Sequence, residues 1–373
     1  MQQTLKFDVI ILGGGLAGLV CAIELGVACN VLLLEKESYP QHKVCGEYVS
    51  NEVLPYLQKL GVDPITLGAT HITELEITTH QGKLITTTLP LGGFGISRFT
   101  LDQALFEKAK QQATVLQEYV TDVAYDAGVF SVQTKSNTTY VAPYVVGAFG
   151  KRSNLDKLLQ REFIQQKSPW LAVKAHYNYD FPKHKVALHN FEGGYCGLSQ
   201  TETGAVNTCY LATYESFKKT EGIDEFQNTV LSKNPHLRHF FNTAIPLFDA
   251  HLSISQISFQ QKKAVEEHIF MIGDSAGLIH PLCGNGMAMA IHSAKLFSEV
   301  FKVHVQDNSS RASLEAAYLQ AWQHNFTARL RMGRQIQRIL LQPTWAKGAF
   351  RMAKVLPGLV PFLIKKTHGD VLV

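Results

Sequence analysis

The chain has 373 residues, of which 46% are apolar and 18% charged, and a formal net charge of +4. This is an ordinary globular composition for a chain long enough to bury a sizeable core, in two domains or one with a large insertion. No stretch reaches the roughly 18 consecutive apolar residues of a transmembrane helix. No small-residue cleavage site follows a basic start, so a cytoplasmic protein is expected.

The first informative stretch is 7–35. An apolar run over 7–12 meets Gly13-Gly14-Gly15, a helical run rich in small residues follows, and a second apolar run over 31–34 stops at Glu35. Gly13, Gly15 and Gly18 stand at the G-x-G-x-x-G spacing. Gly13 makes the tight turn, Gly15 lets the backbone approach a pyrophosphate, and Gly18 lets the helix lie close to the strand. The helix N-terminus offers unpaired N–H groups and a positive dipole end to phosphates. Glu35, about 20 residues on, is placed to accept from a ribose hydroxyl. This predicts a dinucleotide site and leaves FAD and NAD both open.

The six cysteines (21, 29, 45, 196, 209 and 283) form no C-x-x-C pair. They read as thiols rather than as a metal site or disulfide framework. After Glu35 a loop through Pro40 and Gly46 leads to a helix over 52–60. A hairpin over 73–79 and 83–89 turns at Gln81-Gly82, and Gly92 to Gly95 form a turn cluster. A helix runs from Ser97 to Gln112, then strands over 128–135 and 139–146. Four strand-like runs, 170–177, 186–191, 195–199 and 205–211, predict an antiparallel sheet. Residues 214–250 read as helical, and a strand over 253–259 brings the chain back to its first domain.

The second informative stretch holds Gly273-Asp274-Ser275-Ala276-Gly277 and Pro281-Leu282-Cys283-Gly284-Asn285-Gly286-Met287. It reads as a strand, a turn, then a helix over 285–303, followed by a long helix over 313–341. Two helix N-termini suit a bulky cofactor: one holds a pyrophosphate, the other faces a ring system that becomes anionic on reduction. Asp274 can accept from a ribityl hydroxyl. Tyr195, Tyr210 and Phe191 either line a pocket or pack as core. His280 precedes Pro281 close to the expected ring, while His292 is expected to be packed or solvated.

Residues 329–366 carry nine Lys/Arg and no Asp/Glu, and removing them leaves 26 basic against 31 acidic residues. Three readings of this segment stand together: peripheral contact with anionic lipid, a helical lid over a pocket, or a solvated basic helix with a packed terminus. Nucleic acid is not expected, because no recognition motif accompanies the charge.

With the stretch 13–35, the run Lys43-Val44-Cys45-Gly46-Glu47 and the pair Gly273-Asp274 with Pro281-x-x-Gly284-x-Gly286, the chain resembles the glutathione-reductase-type FAD flavoproteins. It is most similar to the geranylgeranyl reductase group, related to the aromatic hydroxylases. The resemblance implies an α/β fold: a Rossmann-like three-layer FAD-binding domain (1–70, 97–165 and 255–305), an inserted antiparallel substrate domain (71–96 and 166–254) and a C-terminal helical region (306–373). It implies FAD held by Gly13, Gly15 and Gly18, with Leu16, Ala17, Lys36 and Val44 alongside and Glu35 on the adenosine ribose. Arg98 would lie along the cofactor, Gly273 and Asp274 at its ribityl or pyrophosphate part, and Gly284, Gly286 and Met287 beside the isoalloxazine. Cys45 would sit near the reactive ring as the candidate catalytic residue. Tyr195, Tyr210 and His280 are candidate substrate-pocket residues.

Two departures mark the chain. Phe149-Gly150 stands where the hydroxylases carry Asp-Gly, and the aromatic substrate-sheet signature of the reductases is not in place. The tryptophan-halogenase signature W-x-W-x-I-P is absent. The expected activity is FAD-dependent reduction or desaturation of carbon–carbon bonds in a hydrophobic small molecule, an isoprenoid, polyketide or similar lipid. The electron donor is NAD(P)H or another reductant. The alternatives are an FAD-dependent monooxygenase and, of another class, a non-catalytic lipid-binding escort protein on the same fold.

Overall fold

The computed structural model describes residues 4–373. A six-stranded sheet, in the order Val265–Glu266, Ile269–Met271, Tyr144–Gly147, Val9–Leu12, Val31–Glu35 and Thr114–Gln117, is parallel except for its first hairpin. Its central strands are apolar runs with no polar alternation, and every residue of Val9–Leu12 and Val31–Glu35 is buried. Strands covered on both faces read this way. The helices Leu16–Gly26, Arg98–Ala109 and Gly286–Asp307 pack together beside this sheet. A second, four-stranded sheet pairs Thr4–Lys6 with Thr139–Ala142, Val129–Thr134 and Val120–Asp126.

The large sheet has nine strands. It runs Ile245–Pro246, Trp170–Asn178, Val206–Thr213, Gly194–Gln200, Lys185–Phe191, Thr70–Thr78, Leu84–Gly95 and Tyr48–Ser50, with Leu252–Ser255 also paired to Trp170–Asn178. All its pairings are antiparallel except that of Lys185–Phe191 with Thr70–Thr78. The chain ends in Arg311–Leu341, Pro343–Val355 and Leu359–Thr367, three successive helices. The fold is thus the mixed α/β architecture expected.

Three local expectations change. Gly92 to Gly95 do not form a turn; they continue the strand Leu84–Gly95. A Cβ on Gly93 would stand 2.4 Å from the Tyr48 ring, and one on Gly95 2.1 Å from the Gln200 carbonyl oxygen. These glycines serve close packing in a strand. The run 139–146 splits at Pro143 between two sheets, since proline offers no N–H to continue one ladder. The strand expected over 253–259 does not bring the chain back: Leu252–Ser255 pairs with Trp170–Asn178, and the return comes at Val265–Glu266 and Ile269–Met271.

Candidate active site

The glycines of the first turn do three different things. Gly13 has φ +107, and a Cβ there would stand 2.6 Å from the Ala148 carbonyl oxygen. A Cβ on Gly18 would stand 1.9 Å from the Gly13 carbonyl oxygen, so the helix touches the turn with no room for a side chain. Around Gly15 the space is open; a Cβ would meet only the Arg98 guanidinium, at 3.8 Å. Leu16 and Ala17 complete the helix start at the same cavity. Glu35 ends its strand beside this turn and accepts from the Gly14 N–H at 2.7 Å and from the Glu37 N–H at 3.1 Å. The Tyr39 hydroxyl donates to the Gly14 carbonyl. Glu35 and Tyr39 therefore hold the turn's shape, a task the spacing alone did not reveal.

A second helix start opens on the same cavity. Gly284 is left-handed at φ +63 and turns the chain into Gly286–Asp307. A Cβ on Gly286 would meet only an Ile279 methyl, at 3.9 Å, so backbone is again bare toward the cavity. Met287 lines it too. Gly273 has φ +59 and packs on Ala17, and its N–H donates to the Ser293 hydroxyl at 2.8 Å. That contact ties the Gly273–Ser275 turn to the Gly286–Asp307 helix and aligns Asp274 along the cavity wall. The Lys262 ammonium donates to the Asp274 carbonyl at 2.7 Å, and burial pushes its pKa down to about 8.

The loop carrying Cys45 is clamped from the large sheet. Lys174, fully buried in the strand Trp170–Asn178, donates to the Lys43 carbonyl at 3.1 Å and to the Glu47 carboxylate at 2.5 Å. His176 Nε2 donates to the other Glu47 oxygen at 2.7 Å, and the Arg98 backbone N–H adds a bond at 2.8 Å. Asn207 and Lys151 donate to the carbonyls of Cys45 and Val44, at 3.2 and 3.0 Å. Glu47 is itself left-handed at φ 54, a conformation that costs a side-chain-bearing residue about 1–2 kcal/mol. Burial pushes the Glu47 carboxyl up, but the His176 hydrogen bond and the Lys174 charge outweigh it and hold the group below its ordinary value.

Ser97 caps the helix Arg98–Ala109 by accepting from the Thr100 N–H, which puts Arg98 in the first turn. The Arg98 guanidinium pairs with the buried Asp102 at 2.6 and 2.7 Å, and Lys43 reaches Asp102 at 3.0 Å. Burial works against the Arg98 charge, but Asp102 more than offsets it, and the nearby Cys45 sulfur adds to the effect. Arg98 thus stands between the bare Gly15 backbone and Cys45.

One cavity of about 970 Å³ joins these parts. Gly13, Gly15, Glu35 and Lys36 line it, as do Val44, Cys45, Arg98, Asp274, Gly284 and Gly286. It continues into an apolar chamber walled by Leu75, Ile77, Leu89, Val186 and Leu188 of the large sheet. Tyr195 lines it as well, whereas Tyr210, expected at the pocket, only borders it: its ring packs against Phe191 and Phe226 in the core on the sheet's other face. Phe191 packs in the core on the sheet's other side. His280 is not among the lining residues: it is buried against the rings of Phe259, Trp170 and Tyr195, and desolvation lowers its pKa to about 3. His292 is packed edge-on against Phe326, as expected.

The C-terminal helices roof the chamber with Phe350, Ala353, Val360, Leu363 and Ile364. The roof is tied down by Glu52, whose backbone carbonyl accepts from the Leu372 N–H and whose carboxylate accepts from the Gly369 N–H, each at 2.7 Å. Arg329 approaches the same carboxylate at 3.5 Å, and Asn285 donates to the Thr367 carbonyl at 2.9 Å. Of the readings of the basic segment, a lid describes the inner faces of these helices.

A glycine cradle on a parallel sheet, with a second bare helix start on the same cavity, defines a dinucleotide-binding protein. The chain belongs to the FAD binding domain family, whose model matches residues 6–320. The chain spans about three fifths of the length of the first curated relative it matches. Among curated proteins it is 24% identical over 340 residues to conditioned medium factor receptor 1 of Dictyostelium discoideum, covering 78% of this chain and 62% of that one. It is 21% identical over 337 residues to digeranylgeranylglycerophospholipid reductase 2 of Methanopyrus kandleri, covering 86% and 83%. The solved structure of the flavin-dependent brominase Bmp2 superposes with a TM-score of 0.80 at 19% identity, over 97% of this chain and 93% of that one, which shows the shared fold. FAD-dependent monooxygenases and other flavin-dependent halogenases stand among the same matches.

The residues present fit FAD, since backbone is bare toward the cavity at Gly15 and Gly286 and blocked at Gly18. Gly15→Val should therefore leave the thermal melting of the apoprotein nearly unchanged while removing bound flavin. Absorbance of the purified protein near the flavin bands checks it; a fully loaded variant would refute the assignment of Gly15.

Proposed function

We propose that the chain is a geranylgeranyl-reductase-like member of the glutathione-reductase-type flavoproteins. In this reading it reduces or desaturates a carbon–carbon bond in a hydrophobic small molecule, an isoprenoid, polyketide or similar lipid. The observation that carries the proposal is the path of the cavity, which leads from the glycine cradle past Cys45 into a chamber walled by aliphatic side chains. Such a chamber selects apolar substrates by burial, at roughly 25 cal/mol per Å² of apolar surface removed from water.

In this reading Gly13 and Gly15 would hold the FAD pyrophosphate, Gly18 would let the helix close on the turn, and Glu35 would hold the adenosine ribose. Arg98 and Asp274 would contact the cofactor's middle, and Gly284, Gly286 and Met287 would pass beside the ring. Bound FAD supplies the electron pair that is exchanged with the substrate as a hydride. The protein's own task is the proton. In the reductive direction the Cys45 S–H bond breaks as a substrate C–H bond forms, and the charge left on sulfur faces the Arg98 guanidinium. The clamp on Glu47 keeps the thiol at that place, and the aliphatic walls exclude water.

General acids contribute roughly 10²–10⁴-fold. Cys45→Ala should cut anaerobic single-turnover reduction by about 10²-fold, with flavin content unchanged; unaltered turnover would remove Cys45 from the chemistry. A second reading, oxygen-dependent hydroxylation, draws support from the monooxygenases among the similar proteins. Protein reduced with dithionite and mixed with isoprenoid or polyketide extracts separates the two. Reoxidation of the flavin by extract without oxygen supports the reductase reading, and product formation only with oxygen supports the monooxygenase.

A further inference from the structure

The C-terminal helices are apolar on two faces, and only one of them is accounted for by the chamber. On the outside, Trp345 is 65% exposed, Val355 78%, and Met352, Leu356 and Phe362 53% each. Trp345, Met352 and Leu356 follow one another at spacings of seven and four residues, so they form a single stripe along Pro343–Val355 and its C-cap. Lys347, Arg351, Lys354, Lys365 and Lys366 are exposed around them. Large exposed apolar residues clustered this way mark an interaction surface.

The charge decides the partner. No acidic side chain interrupts residues 329–366, so a second copy docking by this face would bring like charges together. A soluble apolar partner would leave the cations without counter-charge. An anionic lipid surface meets both demands: it receives the apolar side chains at the level of the acyl chains and the ammonium and guanidinium groups at the headgroups. Among the described residues no helix is long and apolar enough to cross a membrane, which leaves contact in the plane of the interface as the mode.

We infer that the outer face of Pro343–Val355 and Leu359–Thr367 is a docking surface for anionic membranes. The docked side of these helices backs onto the side that lines the apolar chamber, so the roof of the chamber lies at the lipid surface. This inference is independent of which reaction the flavin performs.

Flotation of the full-length flavoprotein with vesicles of phosphatidylcholine alone, and of phosphatidylcholine with phosphatidylglycerol, tests it. The expected result is binding to the anionic vesicles only, weakened by added salt. Lys347→Glu/Arg351→Glu/Lys354→Glu and, separately, Trp345→Ser/Val355→Ser/Leu356→Ser should each lower the bound fraction at least about ten-fold. Both variants should keep the parent's flavin content and its turnover in detergent solution, so loss of lipid binding is distinguishable from loss of the reaction. Absence of binding to anionic vesicles, equal binding to both vesicle types, or binding that survives both variants would overturn the inference. So would a dimer in solution that the apolar triple variant abolishes, because the face would then belong to a second copy.

Discussion

Replacing Glu47 by alanine is expected to destabilise the protein by about 3–5 kcal/mol and to lower flavin occupancy with it. Glu47 and Lys174 are both fully buried, and among the described residues the carboxylate is the only anion paired with the Lys174 ammonium. Without it the ammonium is left as an uncompensated charge away from water, which costs far more than the pair itself contributes. His176 Nε2 and the Arg98 N–H lose their acceptor in the same step. Lys174→Met in the Glu47→Ala background should restore part of the loss, because the stranded charge is then gone. Urea denaturation of the two single variants and the double variant gives the coupling. Additive effects would refute the clamp.

The same pair sets an acid limit. The Glu47 carboxyl is held below its ordinary value of 4.5 in the folded protein. The native state therefore binds fewer protons than the unfolded chain in this range. The clamp's contribution is fully present above about pH 4.5 and is lost as the pH falls through the lower folded value. The parent protein should lose stability over that fall more steeply than Glu47→Gln, which has no such group to protonate. Parallel pH profiles would contradict the linkage.

Gly18→Ala carries the second large effect. Its added methyl would stand 1.9 Å from the Gly13 carbonyl oxygen and 3.2 Å from the Ala148 side chain. The obstacle is backbone, so the helix Leu16–Gly26 must move off the turn rather than a side chain swing away. Overpacking of this kind costs about 1–3 kcal/mol. It also displaces the N–H array at the helix start, which the proposed reading sets against the pyrophosphate. The expected result is a protein with a lowered melting temperature that purifies without flavin and does not take it up on incubation. Gly15→Val should lose flavin with a nearly unchanged melting point, so the pair of variants separates the packing glycine from the ligand-facing one. A Gly18→Ala protein with full flavin and unaltered melting would show that the helix has room the geometry denies.

Much of the dinucleotide half was legible because its signals are local. The turn, helix, strand and terminal acid between Gly13 and Glu35 lie within one β-α-β unit, where hydrogen bonds and close packing act between near neighbours. The second helix start at Gly284 and Gly286 was readable for the same reason. The clamp was not. Glu47 stands two residues from Cys45, yet its partners Lys174 and His176 are 127 and 129 residues away in sequence. Nothing near Lys174 in the chain marks it as buried. His280 was misplaced in the other direction: its loop does run beside the cavity, but Trp170 and Tyr195 of distant strands and Phe259 of a loop draw the ring inward.

The dinucleotide-binding class was written in local spacing, because a glycine with φ +107 and a helix in van der Waals contact with its own turn demand particular residues at particular positions. The sequence also determined a basic, acid-free C-terminal segment. The tertiary structure alone decided that this segment roofs an apolar chamber, that Glu52 ties it down, and that a buried Lys174–Glu47 pair aims the Cys45 loop. Those features depend on burial, and burial is a property of the assembled sheets and helices: the same lysine is a solvated surface charge or a buried clamp according to what is packed above it.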